Sequence, residues 1–350
     1  MARSLTPRIA RSSAAAFAAL AAFGAAGAQA LTINIVAGGG LAANQAALDA
    51  FNRAADSWEG VFTDPISVQI NADLAALGPN ILGSTSSVTL VAGYNTIRGH
   101  MVTDAADELD DAVVAALPTA AQFSAFVPAG LSLAANMAGT KANLKAMGFA
   151  GLDGMFGASD GAITFSSTFA FDFDNSDGVG AGLIDFETVA AHEIGHLLGF
   201  VSSVDQIDFL VDNGQTGAIS IQPLDLFRFN DANDPTTLAQ FTTNPRDLRP
   251  NATAVFDDLI NEFLMSTGAF NGDGNQASHW KADDITGALI GIMDPTLGFQ
   301  QIYPISMADI RALDVIGWDF VAAAAVPEPA ALGLLGLGLA AAARTRRRRA

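Results

Sequence analysis

Residues 185–199 read Asp-Phe-Glu-Thr-Val-Ala-Ala-His-Glu-Ile-Gly-His-Leu-Leu-Gly, and the rest of the chain is best read outward from them. Phe186, Val189, Ala190, Ile194 and Leu197 recur with helical spacing, which predicts a helix with one buried stripe. Asp185 stands where an N-cap belongs, and Gly199 where the helix has to stop. On such a helix His192 and His196 project from the same face, one turn above each other. Two imidazoles so placed can share one tetrahedral ion, and Glu193 beside them can reach a metal-bound water without itself being a ligand. The chain has no cysteine, so a zinc ion here has to be held by His, Asp or Glu alone.

A zinc site that keeps one position open for water needs a third protein ligand. The remaining histidines are His100 and His279, and Asp205 is an acid just past the helix. His100 reads as a solvent-facing loop residue. The run His192-Glu193-Ile194-Gly195-His196-Leu197-Leu198-Gly199 resembles the first eight positions of the metzincin zinc-peptidase motif, whose glycine turns the chain towards a later ligand. That family usually supplies a third His, or sometimes Asp, three residues after the glycine; Ser202 stands there in this chain. Ser278-His279-Trp280-Lys281 followed by Gly291-Ile292-Met293-Asp294-Pro295 is similar to leishmanolysin-type metzincins, which insert a long segment before the third histidine and then make a Met-turn. The resemblance implies His279 as third ligand, Met293 as the Met-turn residue and residues 200–278 as an insertion. It further implies a catalytic domain over 31–320 of α+β class with an α/β-like N-terminal part: a mixed twisted sheet, a long backing helix, the active-site helix and the Met-turn. Asp309 to Trp318 resembles the family's last helix, and Ser306 with Asp309 forms a capping-box pair ahead of it.

Periodicity supplies the other elements. Leu31 to Ala37 alternates like a strand, and Leu48, Phe51, Ala55, Trp58 and Phe62 mark an amphipathic helix from Ala42 to about Phe62. Ile66, Val68 and Ile70 alternate as a second strand, and Val88, Leu90 and Ala92 suggest a third. Residues 103–117 read as a helix, and 118–160 are too rich in Gly and Ala to assign. Ala162 to Ser167 and Phe169 to Asp174 read as paired strands. Within the insertion, 218–222 is strand-like and 253–265 reads as a helix. The Asp172–Gly178 loop clusters carboxylates and is a candidate Ca2+ site, although it lacks EF-hand spacing. Tyr303 is placed either over the site, as an oxyanion donor, or in an amphipathic surface role.

Both ends carry addresses. Arg3, Arg8 and Arg11, the apolar run from Ala14 to Ala26 and then Ala28-Gln29-Ala30 form a signal peptide over 1–30, to be cut by signal peptidase near Leu31. Val326-Pro327-Glu328-Pro329, an apolar run from Ala330 to Ala343 and an Arg cluster ending at Arg349 resemble the PEP-CTERM sorting signal of Gram-negative bacteria over 326–350, which implies recognition by an exosortase. That run is shorter than the roughly 20 residues a spanning helix needs, so contact with the membrane is expected to be transient. The expected destination is the cell surface, the exopolysaccharide matrix or the medium. Between the two signals, nine Lys/Arg face 35 Asp/Glu. Such a surface repels nucleic acid and anionic membranes. The reading is therefore an exported zinc endopeptidase acting on protein or peptide substrates, with Glu193 as general base. The alternative is a non-catalytic matrix or surface protein on the same scaffold.

Overall fold

The computed structural model describes residues 30–107 and 112–320; the expected signal peptide, apart from its last residue, and the C-terminal sorting signal lie outside the described residues. The chain is a mixture of helices and sheets, in keeping with the α+β class. Its N-terminal half is organised by a four-stranded mixed sheet. Strand Thr32–Ala37 lies at one edge, parallel to Ser67–Ala75, which is parallel in turn to Gly161–Ser166. The last strand, Gly83–Ser87, runs antiparallel to Gly161–Ser166 and forms the other edge.

The backing helix, Gln45–Glu59, starts at Asn44, whose side chain accepts the Ala47 amide, and buries Ala47, Ala50, Phe51, Ala54, Ala55 and Trp58. These residues face the helix that carries His192 and His196, Phe186–Leu198, and the two helices share one face of the sheet. Trp58 locks them together by donating its indole N–H to the Ala191 carbonyl at 2.9 Å. Trp318 does the same from the other side, donating to Leu198 O at 2.8 Å. The helix carrying both histidines is thus held by two buried tryptophans, whose large apolar bodies and single donors suit a packed, dry contact.

Several expectations change. The strand read at Val88, Leu90 and Ala92 is Thr89–Gly93, but it belongs to a second sheet with Leu131–Thr140 and Gly217–Ile221. The helix expected at 103–117 instead occupies Tyr94–Asp104, because Tyr94, Ile97 and Met101 supply the buried positions; a shorter one follows at Ala112–Ala115. The two strands expected to pair around Ser167 do not. Gly161–Ser166 is taken into the main sheet, where Ile163 and Phe165 are buried, and Phe171–Asp172 pairs in parallel with Ile184–Asp185 instead. The helix expected at 253–265 is a hairpin of Val255–Asp257 and Glu262–Leu264. Asp258 decides this: its Oδ1 accepts the amides of Ile260 at 2.9 Å and Asn261 at 2.6 Å, a local turn that outcompetes helix.

Candidate metal centre

The helix carrying His192 and His196 begins and ends as its sequence implies. Asp185 accepts the Thr188 amide at 3.0 Å, and Gly199 takes φ +127°, where a Cβ would also press on Asn143 at 3.0 Å. Past that turn the chain folds back, with Phe200 N donating to Gly195 O at 3.0 Å.

His192, His196 and His279 meet at the end of this helix. Their three Nε2 atoms form a triangle with every side 3.1 Å. Each ring is oriented from behind by a backbone carbonyl: His192 Nδ1 by Ile292 O at 2.8 Å, His196 Nδ1 by Phe200 O at 2.8 Å, and His279 Nδ1 by Gln276 O at 3.1 Å. A carbonyl can only accept, so each Nδ1 carries the hydrogen and each Nε2 presents a bare lone pair. Three lone pairs converge with no donor between them. A cation would resolve that arrangement, and carbonyls that hold the far nitrogen of a ligating histidine fix ring orientation and tautomer at metal sites. Among the described residues these three histidines are the group of side chains placed to hold a metal. Enclosure in protein and the neighbouring imidazoles hold His196 down at about 3 and His279 well below its ordinary value, so both rings stay neutral.

Glu193 is buried beside the triangle and faces the edge strand Gly83–Ser87. Thr85 Oγ1 donates to its Oε2 at 2.6 Å, and a Cβ on Gly83 would come within 2.6 Å of its Oε1. Burial pushes the Glu193 carboxyl up from its ordinary value, while neighbouring His192 and the Thr85 hydrogen bond pull it back. Gly83 and Thr85 were not singled out from the sequence: Gly-Ser-Thr-Ser-Ser has no apolar alternation to mark it as a strand, and the spacing to Glu193 is tertiary.

Met293 lies fully buried under the helix, and a Cβ on Gly195 would collide with its sulfur. The turn that carries it is fastened by Asp309, which accepts the Ile292 amide at 2.8 Å, the Met293 amide at 3.2 Å and the Trp280 indole at 2.8 Å. Asp309 also closes the capping box of helix Met307–Asp314 with Ser306. One carboxylate therefore joins the last helix, the methionine turn and the residue next to His279.

The other candidates fall elsewhere. His100 sits on helix Tyr94–Asp104 rather than in a loop, donating its Nδ1 hydrogen to Met147 O, 3.0 Å away, and stacked on Phe149 at 3.8 Å. Asp205 turns its carboxylate to the backbone before His279 and does not join the triangle. Ser202 hydrogen-bonds Asp225 at 2.6 Å. Tyr303 is a wall residue of the site: its hydroxyl donates to Asp283 at 2.8 Å, and burial with that carboxylate raises its phenol. In the Asp172–Gly178 loop, Asp172 and Asp174 spend their oxygens on the amides of Asp174, Gly180 and Ser176, so the carboxylates close turns.

The site opens into a cleft of about 650 Å³ whose walls include Ser84, Thr85, Phe270, Leu297 and Tyr303. It contains Glu193, Asp205, Asp208 and Asp294 but no Lys or Arg.

Compared with curated proteins and with solved structures, the chain finds no match. Residues 325–349 match the PEP-CTERM protein-sorting motif. That motif implies an exported protein, recognised by exosortase sorting machinery and destined for the surface or exterior of a Gram-negative cell.

Proposed function

We propose that this chain is an exported zinc-dependent endopeptidase of metzincin-like build. The observation that carries the reading is the triangle of three unprotonated Nε2 atoms beside a buried glutamate at the floor of an open cleft. The donor set fits the ion. Zn–N bonds of about 2.05 Å at a tetrahedral angle put ligand nitrogens about 3.3 Å apart, close to the separation found here. Three neutral imidazoles leave a fourth position for water, as hydrolytic zinc sites require. The methionine packed beneath Gly195 supports the same reading.

Zinc bound there supplies a water of lowered pKa and a Lewis acid for the scissile carbonyl. Glu193 would accept the proton of the attacking water as its oxygen bonds to the scissile carbon, and would pass that proton to the amine nitrogen as the C–N bond breaks. Thr85 holds the carboxylate to one rotamer, and Gly83 lets the strand approach it closely. The same strand has no partner on its cleft side among the described residues, so an extended peptide can add to it by backbone hydrogen bonds. An alkyl or aromatic side chain of that peptide has Phe270 and Leu297 to rest on.

The test is Glu193→Gln on the purified protein, with zinc measured by elemental analysis and turnover by casein hydrolysis. The expected result is stoichiometric zinc in both proteins and less than about 1% of wild-type turnover in the variant, since a lost general base removes 10²- to 10⁴-fold. Zinc without hydrolysis in the wild type would favour the non-catalytic matrix protein.

A further inference from the structure

We infer that Asp205 and Ser278 form a strut that positions His279, taking over at long range what a ligand three residues past Gly199 would do at short range. The inference rests on the zinc reading above.

Ser202 and His279 are 77 positions apart in the chain, yet their neighbourhoods are stapled together. Ser202 donates its amide to Ser278 Oγ at 2.8 Å. Ser278 Oγ in turn donates to Asp205, in a very short contact, and the Ser278 amide reaches the same carboxylate at 3.3 Å. The Ala277 amide donates to the other oxygen of Asp205 at 2.5 Å. From the opposite side, the buried guanidinium of Arg228 reaches Ala277 O at 3.4 Å and offsets the charge of Asp205 and Asp225. Asp225 completes the staple: it accepts the hydroxyls of Ser202 and Ser203, each at 2.6 Å, and the Gln222 amide at 2.8 Å.

The consequence for His279 is direct. Its Nδ1 hydrogen is held by Gln276 O, and the two residues between Gln276 and His279 are the ones Asp205 grips. Ring orientation is therefore set by a carboxylate on helix Val204–Asp212, which starts five residues after the active-site helix stops. The insertion can then be long without loosening the third ligand. Asp205 acts through backbone and Ser278, so it is a positioning residue.

The experiment measures zinc affinity of apo-protein by competition with a chromophoric chelator, well below the apo thermal midpoint of each protein. Asp205→Asn and Ser278→Ala are compared with wild type and with Asp247→Asn, a buried carboxylate that does not line the cleft and is paired to Arg249 and Asn230. The expected result is a 10- to 100-fold weaker zinc Kd in both strut variants, the range typical for outer-shell partners of a ligating histidine, and no change in Asp247→Asn. Wild-type affinity in both strut variants overturns the strut. Weak binding in Asp205→Asn but not in Ser278→Ala also overturns it, because that pattern makes Asp205 a ligand in its own right. A wild-type protein that binds no zinc defeats the metal reading itself, a separate result.

Discussion

At the scale of single residues, chemistry-bearing side chains differ in how much their neighbours betray them. His192, Glu193 and His196 are legible because a helix repeats every 3.6 residues, so spacing alone puts both imidazoles on one face. His279 was reachable only through family resemblance, since no local period links residues 83 apart; what brings it in is a network of serines and aspartates with no sequence signature. The contrast between His279 and His100 gives a direct test. His279→Ala removes one corner of the triangle and is expected to lose bound zinc and hydrolysis together, because two helical histidines hold zinc far more weakly than three ligands. His100→Ala removes a ring stacked on Phe149 and is expected to keep both, at a stability cost of about 1–3 kcal/mol for a partly buried ring. Stoichiometric zinc in a folded His279→Ala protein would sink the proposed ligand set.

At the scale of elements, what sequence showed and what it hid follow from where each element gets its stability. The backing helix and the helix of His192 and His196 bury long stripes, so their periodicity survives into sequence. The edge strand Gly83–Ser87 has the opposite requirement: it must come close to Glu193, which calls for small residues and erases alternation. The hairpin at 255–264 and the short elements of the insertion are held by side chains capping local turns and by buried Arg228 and Arg246 donating to carbonyls, none of which has a period. Asp309 shows the limit of a correct local reading. As a capping-box residue it would contribute about 1 kcal/mol. It also accepts from Trp280, Ile292, Met293 and both donors of Ser306, so five hydrogen bonds end on one buried carboxylate. Asp309→Ala is therefore expected to cost about 3–5 kcal/mol in urea unfolding, since several buried donors lose their acceptor at about 1–3 kcal/mol each and relaxation recovers part of the loss. A loss of about 1 kcal/mol would mean that it is only a helix cap.

At the scale of the whole molecule, the described chain closes on itself. Phe320 bridges Phe62, Thr63 donates its amide to Asp319 O at 2.8 Å, and Asp319 donates its own amide to Asp64 at 3.1 Å. The clasp ties the segment after the last helix to the loop between the backing helix and the second strand of the sheet. It also carries a titratable weakness, because Asp64 is only 2% exposed and faces Asp319. Burial first, and the Asp319 charge second, push the Asp64 carboxyl up to about 7. An aspartate in the unfolded chain titrates near 3.9, so the folded state binds this proton more tightly and is stabilised by it. That contribution is fully present below about pH 3.9 and is lost as pH rises towards 7, at a slope of at most about 1.4 kcal/mol per pH unit. Asp257 is also raised to about 7, by burial and by Asp234, and adds a slope of the same sign. The variant that isolates the clasp is Asp64→Asn, which keeps an oxygen to accept the Asp319 amide and cannot ionise. Its stability relative to wild type is expected to be near zero at pH 4 and to grow steadily to pH 7, the residual slope in the variant belonging to Asp257 and the other shifted carboxyls, Glu193, Asp205 and Asp294 among them. Chemical denaturation of both proteins at half-unit pH steps reads this difference directly. Parallel curves over pH 4–7 would show that Asp64 is ionised at no cost in the fold, and the clasp would then be no more than a backbone contact.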